Sequence, residues 1–415
     1  MWGTVEPSLG FVFGSQQDVR FEAARNGYLT TFQEFNAQYL DNTNTQATLA
    51  ATIQPSRSLT IDLAADRRYN SSYAERFQID TADDGTFSYV NLLGNENGNF
   101  SITSSMIRTA FSESNTAEDS ALFQQFKENR LAIANRLAAN LSDGTFERDE
   151  DGFPNRYGKT SQDVLFHSFF TTYTGADTQS SDLSTFKSLP IPNWTLKYTG
   201  LMNSDWFKER FQRFSLTHAY RSAFSINSFQ TNLSRNDGLY NIENQDIKPE
   251  LIMNNVVLND QFNPLIRVDF EMKNSLSVLA EVKKDRAYSL SFDNNLLTQI
   301  SGTELTLGLG YRLKDLQFSS MVGESRRVFQ GDLNIKADVS IRDNITILRS
   351  ITSDNRQITS GQRLFSTRIS ADYALTKNIN ALFFYDQNFS KFKVSTAFPQ
   401  QTINTGFSLR YNFGE

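Results

Sequence analysis

In the last third of the chain, apolar residues recur at every second position. Leu333, Ile335, Ala337, Val339 and Ile341 share one face, and Asn334, Lys336, Asp338 and Ser340 the other. Thr367, Ile369, Ala371, Tyr373 and Leu375 repeat the alternation, as do Ile379, Ala381, Phe383 and Tyr385. Upstream, Leu305, Leu307, Leu309, Tyr311 and Leu313 form another run, and Ile266, Val268, Phe270 and Met272 one more. These runs approach the roughly 9 to 11 residues of a tilted membrane-crossing strand, against about 5 or 6 for an average soluble strand. The pattern predicts an all-β chain of long amphipathic antiparallel strands, a transmembrane barrel of the outer-membrane type.

The final run, Ile403, Thr405, Phe407, Leu409, Tyr411 and Phe413 opposite Asn404, Gly406, Ser408, Arg410 and Asn412, predicts a closing strand over 402–413. Phe407, Leu409, Tyr411 and Phe413 then form the C-terminal barrel signal, although Gly414 and Glu415 follow the last aromatic residue. An ordinary amphipathic edge strand is the plainer alternative. Arg342-Asp343-Asn344 and Thr376-Lys377-Asn378 read as tight turns, and Met321–Gly331, Ser353–Gln362 and Asn388–Gln401 as polar loops. Short turns alternating with long loops place the C-terminus on the short-turn, periplasmic side. The rhythm weakens at Lys284-Asp285 and over Asn294–Gly302.

Towards the N-terminus, Leu49, Ala51 and Ile53 alternate before Pro55-Ser56-Arg57, and Leu59, Ile61, Leu63 and Ala65 after it, which predicts a hairpin. Between Met106 and Pro190 the two-residue period stops. Phe123, Phe126, Leu131, Ile133, Ala134 and Leu137 stand at mixed three and four spacing, predicting an amphipathic helix near 117–140. The organisation expected is therefore barrel strands over 1–105, a partly helical extramembrane insertion over 106–190, and barrel strands over 191–415.

Composition agrees with alternating lipid-facing and lumen-facing strands. Among 415 residues there are 35 Phe and 15 Tyr, yet mean hydropathy is only -0.44. No apolar stretch is long enough for a membrane helix, so any crossing falls to strands. The absence of cysteine excludes disulfides, zinc-thiolate sites and thiol nucleophiles. A net charge of -6 without a Lys/Arg block argues against nucleic acid. Met1-Trp2-Gly3-Thr4-Val5-Glu6-Pro7 has neither a basic start nor an apolar core, which reads as a mature chain or a C-terminal piece.

Candidate chemistry is sparse. The two histidines, His167 and His218, stand near no nucleophile motif, so no catalytic residue is assigned. Glu147-Arg148-Asp149-Glu150-Asp151-Gly152 has the start of a calcium loop, but its twelfth position is Gly158 instead of a bidentate Glu. A surface calcium site and a solvated acidic turn both fit that loop. Gly308-Leu309-Gly310 lies within a strand, and no nucleotide or other cofactor site is expected.

One stretch is distinctive by residue. Gly152-Phe153-Pro154, Tyr157-Gly158, Ser161-Gln162-Asp163 and Tyr173-Thr174-Gly175 precede Pro190-Ile191-Pro192-Asn193-Trp194, then Tyr198-Thr199-Gly200-Leu201. A short aromatic helix around Trp206-Phe207 and the run Thr217-His218-Ala219-Tyr220-Arg221-Ser222 follow. Together these resemble the C-terminal part of the SprA/Sov family, the giant outer-membrane translocon of type IX secretion in Bacteroidota, associated with gliding motility. The motif residues are Ser161, Gln162, Asp163, Pro190, Pro192, Asn193, Trp194, Tyr198, Gly200, His218, Tyr220 and Arg221.

The resemblance implies a protein-conducting channel that carries folded substrate proteins to the cell surface. It also implies a plug protein and a PorV-type barrel as partners, alongside outer-membrane lipid, and no catalytic residues. At roughly 25 to 30 residues per strand with loops, the chain supplies about 14 strands, short of a giant barrel. Missing strands would leave unpaired edges in lipid, so the chain alone is not expected to make a stable closed pore. A small-molecule porin, a barrel-anchored adhesin and a soluble β-sandwich are the alternatives.

Overall fold

The computed structural model describes residues 38–411 apart from 82–84, 86, 113–119, 142–146, 323–324, 354, 377 and 395–397, and also Asp18, Arg20, Gly27, Phe32 and Phe413. Met1–Pro7, Lys377, Asn412, Gly414 and Glu415, which entered the sequence reading, lie outside the described residues.

Among the described residues, thirteen strands form one antiparallel sheet. They are β1 (Gln38–Ser56), β2 (Leu59–Thr81), β3 (Phe87–Thr103), β4 (Asn193–Tyr198), β5 (Phe211–Thr231), β6 (Leu251–Met253) and β7 (Asn255–Met272). The others are β8 (Leu276–Ser291), β9 (Leu296–Val322), β10 (Ser325–Ser350), β11 (Arg356–Ala374), β12 (Ile379–Phe392) and β13 (Gln400–Tyr411). The order β1-β2-β3-β5-β7-β8-β9-β10-β11-β12-β13 makes eleven lanes, with β1 and β13 at the edges. No described helix is long and apolar enough to cross a membrane. The chain is all-β, a wall of the transmembrane barrel type.

Many strands are longer than a bilayer crossing needs, and this corrects the expected turns. Arg342-Asp343-Asn344 lies inside β10. The connections expected over Met321–Gly331, Ser353–Gln362 and Asn388–Gln401 contract to 323–324, 351–355 and 393–399. Three consecutive polar residues suggested a turn, but each finds a partner within the sheet. Arg342 donates to Glu304 at 3.1 Å and Asp285 at 2.9 Å, and Asp343 pairs with Arg363 at 2.9 Å. Cross-strand charge pairs let polar sequence continue a ladder. Lys284 and Asp285, where the rhythm weakened, likewise lie inside β8. The expected connection at Thr376–Asn378 does join β11 to β12.

Register fixes the two faces. Val282, Leu305, Ile341 and Phe365 stand side by side across β8 to β11, as do Val278, Leu309, Ala337 and Ile369 two rows away. This aliphatic face runs on through Val268 and Leu216 to Leu196 and Ile61. Much of its lower band is exposed, Leu305 by 53% and Leu409 by 62%. The end with the short connections 273–275 and 323–324 is the turn end, and the C-terminal end of β13 lies there too. Aromatic residues edge the band at this end, with Phe207 packed on Phe211 and Phe214, both of these on Phe270, and Tyr411 on Phe413. Aromatic girdles mark the membrane interfaces of barrels.

The other half of the same face is covered. Segment 104–192 carries α1 (Ala121–Ala139) and α2 (Gln162–Thr174). The Ser120 hydroxyl caps α1 by accepting from the Phe123 N–H at 3.2 Å. Leu122, Phe123, Phe126, Ile133 and Ala134 form its buried stripe. Gly175 ends α2 in the left-handed region at φ 70, which suits glycine. Together with Phe100, Phe224, Ile226, Val256, Leu258, Tyr288, Leu290 and Leu297 of the sheet, the helices enclose one core. Register places these sheet residues on the aliphatic face, towards its loop end. The insertion therefore covers the upper half of the face whose lower half is exposed.

Candidate functional site

β3 stops at Thr103, beside Ala223 in β5, and β4 occupies the remainder of that lane, running in the same direction from Asn193 to Tyr198 between β2 and β5. The insertion thus leaves and re-enters the wall through a gap in one lane. Backbone bonds bring the two ends together: Ser104 N–H donates to Ser222 O at 3.2 Å, and Ile191 N–H to Thr103 O at 3.0 Å.

Several motif residues meet at this gap. Asn193 Oδ1 accepts from the Ser222 N–H at 2.7 Å, replacing a ladder bond where no strand is present. The Trp194 and Tyr220 rings lie 4.7 Å apart, and the Tyr220 hydroxyl accepts from the Met106 N–H at 2.7 Å. Pro190 and Pro192 flank Ile191 in the extended re-entry segment, where missing donors suit a chain paired on one side. Tyr198 folds over Gly200, whose Cβ, were there one, would meet the ring at 2.5 Å. Arg221 lies beside the gap, paired with Gln261. His218 Nδ1 is 2.6 Å from Leu265 O, a group that can only accept, so the proton sits on Nδ1. His218 fastens the irregular register between Phe262 and Ile266, with its ring beside that of Phe262.

The remaining motif residues lie elsewhere, at the start of α2. Ser161 holds its N-cap position without a side-chain cap. Gln162 donates to Leu251 O at 2.7 Å and accepts from Met253 N–H at 3.0 Å, clamping β6 to the helix. Gln162→Ala is expected to cost about 1 to 2 kcal/mol and to expose 232–254 to limited proteolysis before the rest of the chain. Burial, reinforced by Glu250 and opposed by Arg235, raises the Asp163 carboxyl to about 6. Deeper in α2, burial and then the Lys187 cation lower His167 to about 3.

Two residues at the gap were not singled out in the sequence. Arg286 donates to Asp260 at 3.0 and 2.7 Å and to Thr109 O at 2.5 Å, joining β7, β8 and the insertion. Their signal was a charge within the apolar alternation Val256, Leu258, Asp260, Phe262. Among the described residues no group of His, Asp and Glu could hold a metal. The loop at Glu147–Gly152 instead uses Asp149 Oδ1 to accept from the Phe153 N–H at 2.7 Å, and Asp151 to pair with Lys159 at 2.5 Å.

On the opposite face, charges neutralise one another. Glu271, Arg213, Asp269, Arg267, Glu281, Lys283, Glu304, Arg342 and Asp285 form a continuous chain of ion pairs 2.9 to 3.4 Å apart, from β5 to β10. Four cations meet five carboxylates, a net charge of -1. Lys336 and Asp338 share this face, as expected for a polar lining, and so does Arg410 by register.

No family model matches the chain, and no curated protein matches it. Among solved structures, the trimer form of in-vitro folded OmpT, an outer membrane protein of Vibrio cholerae, aligns over 91% of this chain and 99% of its own. The identity is 8% and the TM-score 0.21, too low to bear on the argument.

Proposed function

We propose that the chain is a sector of the wall of a protein-conducting outer-membrane channel of the SprA/Sov type. In this reading it passes folded substrate proteins of type IX secretion to the cell surface and supports gliding motility. The observation that supports it most is the polar face. Its ion pairs satisfy one another, so the lining presents dense polarity with little net field, suited to cargo of either charge. The motif residues add to this by fastening the insertion at the gap, where a plug protein or a PorV-type barrel would find a rigid platform.

The wall is passive in this scheme, with no catalytic residue of its own and with energy supplied by partners. The loop ends face outward and the turn ends the periplasm. Replacing residues 106–190 by a short Gly/Ser bridge is expected to leave membrane insertion intact. Surface display of proteins carrying the C-terminal sorting domain should fall severely, as read by immunolabelling of intact cells. Normal display together with lost uptake of one small solute would favour a porin instead.

A further inference from the structure

The exposed aliphatic band ends, towards the loop side, in a row of charge. Ile341, Phe365 and Phe389 are cross-strand neighbours, and two residues higher on the same face stand Asp343, Arg363 and Lys391. Arg363 Nε lies 3.1 Å from both Asp343 carboxylate oxygens, and Lys393 Nζ lies 3.5 Å from Oδ1. The Lys393 N–H donates to Gly361 O at 2.7 Å, and its side-chain stem lies along Gly361, where a Cβ would come within 3.2 Å of it. Two exposed cations thus meet at one carboxylate, and a third, Lys391, is the cross-strand neighbour of Arg363 in the same row, one step above two aromatic rings. Asp343, paired with Arg363 and Lys393, is the only carboxylate in ion pairs with these cations among the described residues, so the three cations and it carry a net charge of +2.

This is the height at which hydrocarbon gives way to headgroups. The band below the row, from Leu305 to Leu313 in β9 and from Phe365 to Tyr373 in β11, is close to the length of a bilayer crossing. Cations at that level attract anionic lipid, and an arginine held by a carboxylate presents its remaining N–H groups to phosphate oxygens. We propose that Arg363, Lys391 and Lys393 form a binding site for the phosphate headgroup of an anionic membrane lipid, whose acyl chains lie along Phe365, Phe389 and Ile341. The proposal rests on the reading of the band as membrane-embedded.

The test uses the protein purified in detergent and offered equimolar phosphatidylglycerol and phosphatidylcholine, with retained lipid measured by native mass spectrometry. Phosphatidylglycerol should be preferred, and the triple variant Arg363→Gln, Lys391→Gln, Lys393→Gln should lose on the order of tenfold in that preference. Added sodium chloride should weaken it, as screening requires. Equal retention of the two lipids, or an unchanged preference in the triple variant, overturns the site. Displacement by an equal concentration of inorganic phosphate overturns the lipid as its occupant. Resistance of both proteins to alkaline carbonate extraction shows that the band is embedded and the variant folded. Extraction of the wild type would overturn the embedded band, and the lipid site with it.

Discussion

Asp260→Ala is expected to destabilise the joint between wall and insertion by about 3 to 5 kcal/mol, the cost of leaving a buried charge without its partner. The Arg286 side chain is only 4% exposed, and Asp260 supplies two of its hydrogen bonds. The third, to Thr109 O, reaches the short helical turn Ile107–Thr109 through which the chain enters the insertion. Loss of Asp260 should therefore release the insertion before the wall, seen as protease cleavage between 104 and 192 while the strands stay protected. The double variant Asp260→Leu, Arg286→Met should recover much of the loss, because well-packed apolar replacements of a buried pair are often neutral or stabilising. Equal protease resistance of Asp260→Ala and wild type would show that the pair does not hold the insertion.

The insertion is also expected to loosen in acid through His167. Burial, and then the Lys187 cation, hold its folded pKa near 3, well below the ordinary 6.5. Its neutral form is the one that fits. The stability it permits is complete above pH 6.5 and is lost progressively as pH falls towards 3. At pH 5 the loss amounts to about 2 kcal/mol. Asp163 works the other way. Its folded pKa of about 6 lies above the ordinary carboxylate value, so it takes up a proton on folding across the same range. His167→Leu should therefore flatten the acid loss and Asp163→Asn should deepen it. Hydrogen exchange of α2 amides between pH 7 and 5, corrected for intrinsic rates, is the measurement. An identical pH dependence in wild type and His167→Leu would exclude the histidine as its source.

The alternation in the C-terminal third was legible because each aliphatic side chain has a counterpart across the ladder, as Leu309 has in Val278 and Ala337. Strand ends were less legible. Arg342 belongs in β10 because Glu304 and Asp285 receive it, and both are far away in sequence. A single chain's local pattern does not contain that pairing. The helix near 117–140 announced itself by its spacing, while the surface it covers did not. Val256, Leu258, Tyr288 and Leu290 alternate just as lipid-facing residues do, yet they are fully buried or nearly so beneath the helices. Apolar alternation reports that a face is kept from water, not whether lipid or protein does the covering. Of the motif residues, Asn193, Trp194 and Tyr220 come from two separate blocks of sequence, and their spacing did not reveal that they meet at a break in a strand.

The eleven lanes carry a constraint of parity. β2 and β12 each start at the turn end, so β1 and β13, their antiparallel neighbours, both run from the loop end towards the turn end. Joined directly, the two edges would form a parallel seam in an otherwise antiparallel wall. An all-antiparallel cylinder has an even number of lanes, so closing this one on that plan takes an odd number of lanes beyond the eleven of the described residues. The split lane does not alter the count, because β3 and β4 point the same way and act as one.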